Sequence, residues 1–247
     1  MIDSITFQIF AKAPIAGRVK TRLVPPLSPS SAARLHARMI ERAAANVRQA
    51  MDRLNDRDGN VSVRGELWCA IDGPSGATPA SPSDIDDPIL TRIARDHRLD
   101  LRLQCNGDLG DRMRHALSGA LPGRVLLLGT DIPSLAPSHM VAAANRLTGH
   151  DALVIPSDDG GYVLIGCNSR VPECFDAIPW STPRVIHATR AQLQASGCRW
   201  VELPPLWDVD TGADLRRLAA DPILAPLLDG LETNEGFPLV LNETQTV

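Results

Sequence analysis

RVLLLGTD, residues 124–131, carries the reading of the fold. Val125 to Leu128 is apolar without a break, and the run stops at Gly129, Thr130 and Asp131. A strand of that pattern is covered on both faces and belongs to a parallel sheet. Helical segments flank it, NGDLGDRMRHAL (106–117) on one side and PSHMVAAANRL (137–147) on the other. Moving towards the N-terminus, LRLQC (101–105) reads as a strand, 88–97 as a short helix and ELWCAI (66–71) as a strand. Ser28-Pro29 has the form of an N-cap with proline at N1, opening a long helix. Leu35, Met39, Ala43, Val47 and Met51 repeat along that helix every fourth residue, an amphipathic stripe. ITFQIFA (5–11) is the first strand.

Towards the C-terminus, ALVIP (152–156) and YVLIGC (162–167) are strands, PRVIHATRAQLQ (183–194) a helix and RWVEL (199–203) a last strand. LWDVDTGADLRRL (206–218) then enters a helix through Thr211. Strands alternating with helices predict an α/β three-layer sandwich with a mostly parallel sheet. The turn after Pro156 is too short for a crossover helix, so one antiparallel strand is expected and the sheet is mixed. Asp72 to Asp87, rich in Pro, Ser, Gly and Asp, reads as a surface loop. Residues 1–230 are expected to form one domain, with 231–247 a poorly specified tail.

The bulk numbers narrow the function classes. The 247 residues carry a net charge of −4 and are 44% hydrophobic, with a mean hydropathy of −0.06 and a pI near 5.8. That acidity argues against a nucleic-acid partner, which needs a basic surface. The five cysteines are odd in number and contain no C-x-x-C pair, which reads as reduced core thiols in a reducing compartment. The start, MIDSITFQIFAK, lacks a basic n-region and a long apolar h-region, and no apolar run reaches membrane-spanning length. A cytoplasmic protein with no membrane partner is expected, and a homodimer stays open.

Against that acidic background, AKAPIAGRVKTRLVPPL (11–27) concentrates Lys12, Arg18, Lys20 and Arg22 in the loop after the first strand. Such a loop should suffer mutual repulsion when empty. Either its cations face water or they await an anion, since Lys binds phosphate as a point charge and Arg as a bidentate fork. Gly17 lets backbone turn close to such a ligand. The loop is neither a Walker A motif nor a G-x-G-x-x-G motif.

Carboxylates cluster at the other strand exits: Asp131 after VLLLG, Asp158-Asp159-Gly160-Gly161 after ALVIP, and Asp208 and Asp210 after the last strand. Ligands of open α/β sheets bind beyond the carboxyl ends of the strands. Mg²⁺ or Mn²⁺ held with a nucleotide takes one or two protein carboxylates. Each aspartate also has a local reading: Asp131 as a turn or cap before Pro133, Asp210 as a helix cap, Asp158 and Asp159 as a tight turn. Asp108 and Asp111 read as the N-cap and N3 residues of a helix. Trp180 and Trp207 either stack on a base or sugar or belong to the core. No H-x-x-x-H pair and no G-x-S-x-G elbow is present.

Six blocks in one order, FAKAPIAGRVKTRL, GDLGDRM, LLLGTDIPSL, IPSDDGGYVLIG, PWSTPRV and LWDVDTGADL, resemble the bacterial DUF2064 family. Its members are often labelled glycosyltransferases of arsenosugar biosynthesis, within the nucleotide-diphospho-sugar transferase (GT-A) superfamily. The resemblance spans about residues 5–220. It implies a Rossmann-like GT-A fold that holds a nucleotide through Mg²⁺ or Mn²⁺. Asp131 matches the metal-binding aspartate, with Asp208 or Asp210 the second ligand. Lys12, Gly17, Lys20 and Arg22, with Gly160 and Gly161, would bind the nucleotide and its phosphates, and Asp159 would serve as the acceptor's base. VKTRL is similar to the loop of 2-phospholactate guanylyltransferases and, more loosely, to that of sugar-phosphate nucleotidyltransferases, where it holds a triphosphate. The chain departs from the latter in having only Gly17 rather than a glycine-rich loop, and it has no D-x-D at Asp131. The implied activity is transfer from a nucleoside-diphosphate sugar to a small-molecule acceptor. Nucleotidyl transfer with release of pyrophosphate is the alternative, and a non-catalytic nucleotide-binding module is a third class.

Overall fold

The computed structural model describes residues 3–55, 61–70 and 87–233. Seven strands form one sheet: β1 (Asp3–Lys12), β2 (Val61–Ala70), β3 (Asp100–Leu103), β4 (Arg124–Gly129), β5 (Ala152–Pro156), β6 (Tyr162–Asn168) and β7 (Trp200–Glu202). Among the described residues five helices connect them, α1 (Pro29–Asn55), α2 (Pro88–Asp96), α3 (Leu109–Gly119), α4 (Pro137–Arg146) and α5 (Val185–Ala195), and α6 (Gly212–Ala220) follows the last strand. The strand order is β3-β2-β1-β4-β6-β5-β7. β1 runs parallel to both β2 and β4. β6 alone runs against its neighbours, pairing antiparallel with β4 and with β5. The mixed α/β sheet expected from the short turn after Pro156 is therefore present.

The alternation within each strand explains the layers. Leu126 and Leu128 face the cluster formed by Phe7, Ile9, Ile40, Ala44 and Met140. Val125 and Leu127 face the opposite cluster, with Met113, Ala116 and Leu117 of α3 and Ile186 and Leu193 of α5. A third cluster lies apart, where Leu23, Leu27, Leu35 and Met39 pack on Val209, Leu215 and Leu218. α1 thus serves two cores, which is why Ile40 and Ala44 are buried beside the expected stripe.

The chain winds outward from β1 to β3, then returns to β4 on the other side of β1. The reversal places the exits of β1 and β4 side by side, the crevice where open α/β sheets bind ligands. The expected loop 72–87 lies outside the described residues except for Asp87, which caps α2 through Ile89 N and Leu90 N. Of the expected tail, 234–247 lies outside them as well. Leu231 to Thr233 are tied to the first helix region: Glu232 N donates to Ser31 Oγ, and Thr233 bridges to Leu27.

Candidate active site

Lys20 adopts φ 49°, ψ 38°, in the left-handed region, just before a single 3₁₀ turn over Thr21–Leu23. Leu23 and Leu27 are fully buried against Val209 and Leu215, so the basic loop is clamped to the segment entering α6. Val209 N donates to Asp131 O at 2.9 Å, and this joins the exit of β4 to the same segment. Three sequence-distant loops therefore meet at one point.

The Lys20 ammonium occupies that point. Its Nζ lies 3.0 Å from Asp131 Oδ2 and 2.8 Å from Asp210 Oδ1, and it donates to Val209 O at 2.7 Å. Only 5% of the Lys20 side chain is exposed. Burial works against its charge, but Asp131 and then Asp210 outweigh that and hold its pKa above the usual lysine value. Arg22 reaches Asp210 Oδ2 at 3.3 Å from an exposed position. On the other side, His36 Nδ1 stands 3.6 Å from Asp131 Oδ1. A carbonyl only accepts, so His36 Nε2 carries a proton and donates it to Lys12 O at 3.1 Å. Burial alone would raise the Asp131 carboxyl. Lys20 and then His36 reverse the sign and hold it well below the ordinary aspartate value.

The expectation of mutual repulsion in the empty loop is corrected by this geometry. Lys20 is neutralised by two carboxylates before any ligand arrives. The helix-cap readings of those aspartates also give way. α4 has Ala136 at its N-cap position, not Asp131. α6 is capped by Thr211 with Asp214, whose Oδ2 accepts from Thr211 N at 2.7 Å, so Asp210 is free of capping duty. Asp108 and Asp111 do form the expected capping box on α3.

A cavity of about 420 Å³ opens beside the cluster, lined by Lys12, Arg18, Lys20, Arg22, Arg112, Asp131 and Asp210. A second, of about 530 Å³, adjoins it and contains Asp159, Gly161, Tyr162, Trp180 and Thr182. Arg22, Leu109 and Asp210 line both and form the seam. The structure does not bring Gly160 and Gly161 to the basic cavity. Gly161 lines the second one, and Gly160 (φ 92°) packs so closely on Pro183 that a Cβ would lie 2.3 Å from its carbonyl oxygen. Gly17 (φ 77°) shapes the loop without lining either cavity. Asp208 also lines neither, and burial, with Asp159 and Asp210 nearby, pushes its pKa up to about 6. Asp158 is taken by Arg217 at 3.1 Å, and Trp207 is buried beneath the same guanidinium.

His36, Gln104, Thr130 and Arg112 also line the basic cavity and were not singled out in the sequence. The signal for His36 was its place one residue from Leu35 on the buried face of α1. Arg112 sits inside the GDLGDRM block.

The arrangement fits a divalent ion bound jointly with a ligand. Asp131 and Asp210 already converge on one centre of positive charge, and Asp131 Oδ1 is buried with no hydrogen-bond partner. Two carboxylates with the remaining positions left to phosphate and water is the Mg²⁺ pattern. Among the described residues no three acidic, histidine or cysteine side chains converge, so no self-contained protein cage is present.

Comparison with known proteins agrees with the fold. The family model described as "Uncharacterized protein conserved in bacteria (DUF2064)" matches residues 59–182. A solved structure from Desulfovibrio desulfuricans G20, described as a candidate nucleotide-diphospho-sugar transferase, is 30% identical with a TM-score of 0.66. The match covers 87% of this chain and 86% of that one. The 4-diphosphocytidyl-2C-methyl-D-erythritol synthase of Anaerococcus prevotii DSM 20548 is 12% identical with a TM-score of 0.51, covering 87% and 95% of the two chains. At that identity the likeness concerns the fold alone. No curated protein matches the sequence.

Proposed function

The chain belongs to the DUF2064 family, and we propose that it is a Mg²⁺- or Mn²⁺-dependent transferase whose donor is a nucleoside-diphosphate sugar. The observation that carries this reading is the convergence of Asp131 and Asp210 on one cationic point at the edge of a cavity walled by Lys12, Arg18, Arg22 and Arg112. Carboxylates would hold the ion, and the surrounding cations would hold phosphate oxygens. The description of the Desulfovibrio structure as a candidate nucleotide-diphospho-sugar transferase supports the same class.

The bound ion would supply Lewis-acid neutralisation of charge on the departing diphosphate. Lys12 and Arg22 would add positive charge on the same side, where it stabilises the leaving group more than the ground state, while Lys20, paired with Asp131 and Asp210, would hold those carboxylates in place. Asp159 lies in the adjoining cavity, where an acceptor hydroxyl would need a proton acceptor. Its Oδ1 accepts from Gly161 N at 2.9 Å and from Ser157 Oγ, which fixes the orientation of the carboxylate.

Nucleotidyl transfer is favoured by one observation: with Asp131 and Asp210 set against Lys12, Arg18, Lys20, Arg22 and Arg112, the cavity lining still keeps a net positive charge suited to a triphosphate. Incubation with NTPs and nucleotide-sugars, with Mg²⁺ or Mn²⁺, separates the two. Release of nucleoside diphosphate supports glycosyl transfer, release of pyrophosphate supports nucleotidyl transfer, and binding without turnover leaves a non-catalytic module.

A further inference from the structure

The two cavities differ in charge, and the difference points to what the second one takes. The first is walled by Lys12, Arg18, Arg22 and Arg112 around the Lys20 cluster, a surface suited to several phosphate charges. In the second, the charged lining residues are Arg22, Asp159 and Asp210. Arg22 and Asp210 pair with each other at 3.3 Å, which leaves the Asp159 carboxylate as the unbalanced charge. A phosphorylated molecule entering there would meet a like charge, and the one cation on the lining, Arg22, is shared with Asp210 and with the basic cavity.

The remaining wall is aromatic and hydroxylic. Tyr162 and Trp180 meet edge to face, with ring centroids 6.4 Å apart at 80°. Trp180 is held in place from behind by Gly110, where a Cβ would come within 2.9 Å of the indole. Thr182 donates to Pro179 O at 2.7 Å and lines the same cavity, as does Ser181. An indole wall beside a fixed carboxylate and hydroxyls suits a ligand with an apolar C–H face and hydroxyl edges.

We propose that this second cavity is the acceptor site and that it takes a neutral, polyhydroxylated molecule of the carbohydrate class in preference to a phosphorylated one. The proposal rests on the transferase reading above, because an acceptor site presupposes a donor in the basic cavity. It also disfavours one form of the alternative, nucleotidyl transfer in which the acceptor attacks through a phosphate, because this cavity opposes such a group.

The test is saturation-transfer NMR on the full chain. The probes are methyl glycosides of the common hexoses and pentoses, and the corresponding sugar phosphates. At least one methyl glycoside should bind, and the signal should be lost in Trp180→Ala. Because Trp180 packs on Gly110, Trp180→Ala could lose its fold, so Asp159→Asn provides a second readout. Removing that charge should strengthen sugar-phosphate binding severalfold and leave glycoside binding equal or weaker. Trp180-dependent binding of sugar phosphates tighter than the glycosides would overturn the proposal, as would absence of Trp180-dependent binding by any probe. Mn²⁺-dependent binding of GDP, UDP, CDP and ADP is measured in parallel. If none binds, the transferase reading fails; if one binds while the sugar arms fail, only the acceptor assignment fails.

Discussion

The ammonium of Lys20 lies 3.0 Å from Oδ2 of Asp131, and this contact joins the loop after the first strand to the exit of the fourth. It also gives Asp131 a charge partner in the free protein. With that partner the folded aspartate titrates below its unfolded value of about 3.8. The stabilisation is therefore fully present above the unfolded value and lost as pH falls through the folded one. Asp131→Asn should flatten the acid limb of the stability profile below about pH 4. Urea midpoints from pH 2.5 to 7 measure this; an acid limb identical to that of the parent would remove the pair from the account. The same variant should lose metal-dependent nucleotide binding.

The thiols make a second prediction. Cys69, Cys167 and Cys174 are buried, and burial pushes each thiol up to about 12, whereas Cys105 is partly open to solvent. The thiolate is the reactive form. At pH 8, iodoacetamide should modify Cys105 first in the native protein and those three slowly. After denaturation without reductant, all five should react. A protected pair seen by mass spectrometry would contradict five free thiols.

Gly160 supports the turn that presents Asp159. Its φ of 92° is accessible to glycine, and a Cβ would meet the backbone of Pro183. Since backbone cannot rotate away as a flexible side chain would, Gly160→Ala should cost about 1–3 kcal/mol. A thermal melt checks this, and an unchanged transition would show that the turn does not pack on Pro183.

What could be read from the sequence was what neighbours in the chain decide. Asp108 and Asp111 are one helical turn apart, so their capping box follows from spacing. The antiparallel β6 follows from the length of the turn before it. The site was legible as a set of residue types at strand exits, but not as a geometry. Nothing local says that Lys20 takes a left-handed backbone, or that Leu23 and Leu27 pack on Val209 and Leu215 and so carry Lys20 to Asp210. His36 was hidden for a related reason. Apolar periodicity marks the buried face of α1, and a polar residue on that face gains meaning only once its partner across the fold is known.

The last prediction separates two cations that sequence spacing treats alike. Lys20 is almost fully buried between two carboxylates, while 70% of the Arg22 side chain is exposed. Removing one partner of a buried ion pair leaves the other charges uncompensated, which costs about 3–5 kcal/mol. Asp131 keeps 41% of its side chain open to solvent, so the lower end of that range applies to Lys20→Ala. Arg22→Ala should change stability by no more than about 0.5 kcal/mol, as for an ordinary surface position. Nucleotide binding should separate them again. Arg22→Ala loses a charged hydrogen-bond donor to phosphate, about 1.5–3 kcal/mol in affinity. The three Lys20 donors are already spent on Val209 O, Asp131 and Asp210, so Lys20→Ala acts through the position of the loop. Chemical denaturation reads the first effect and calorimetric titration with nucleotide and Mn²⁺ the second. If Lys20→Ala is as stable as Arg22→Ala, the ion cluster does not hold the loop to the α6 segment. If Arg22→Ala binds nucleotide as tightly as the parent, that arginine is a surface charge and the phosphate site is drawn too wide.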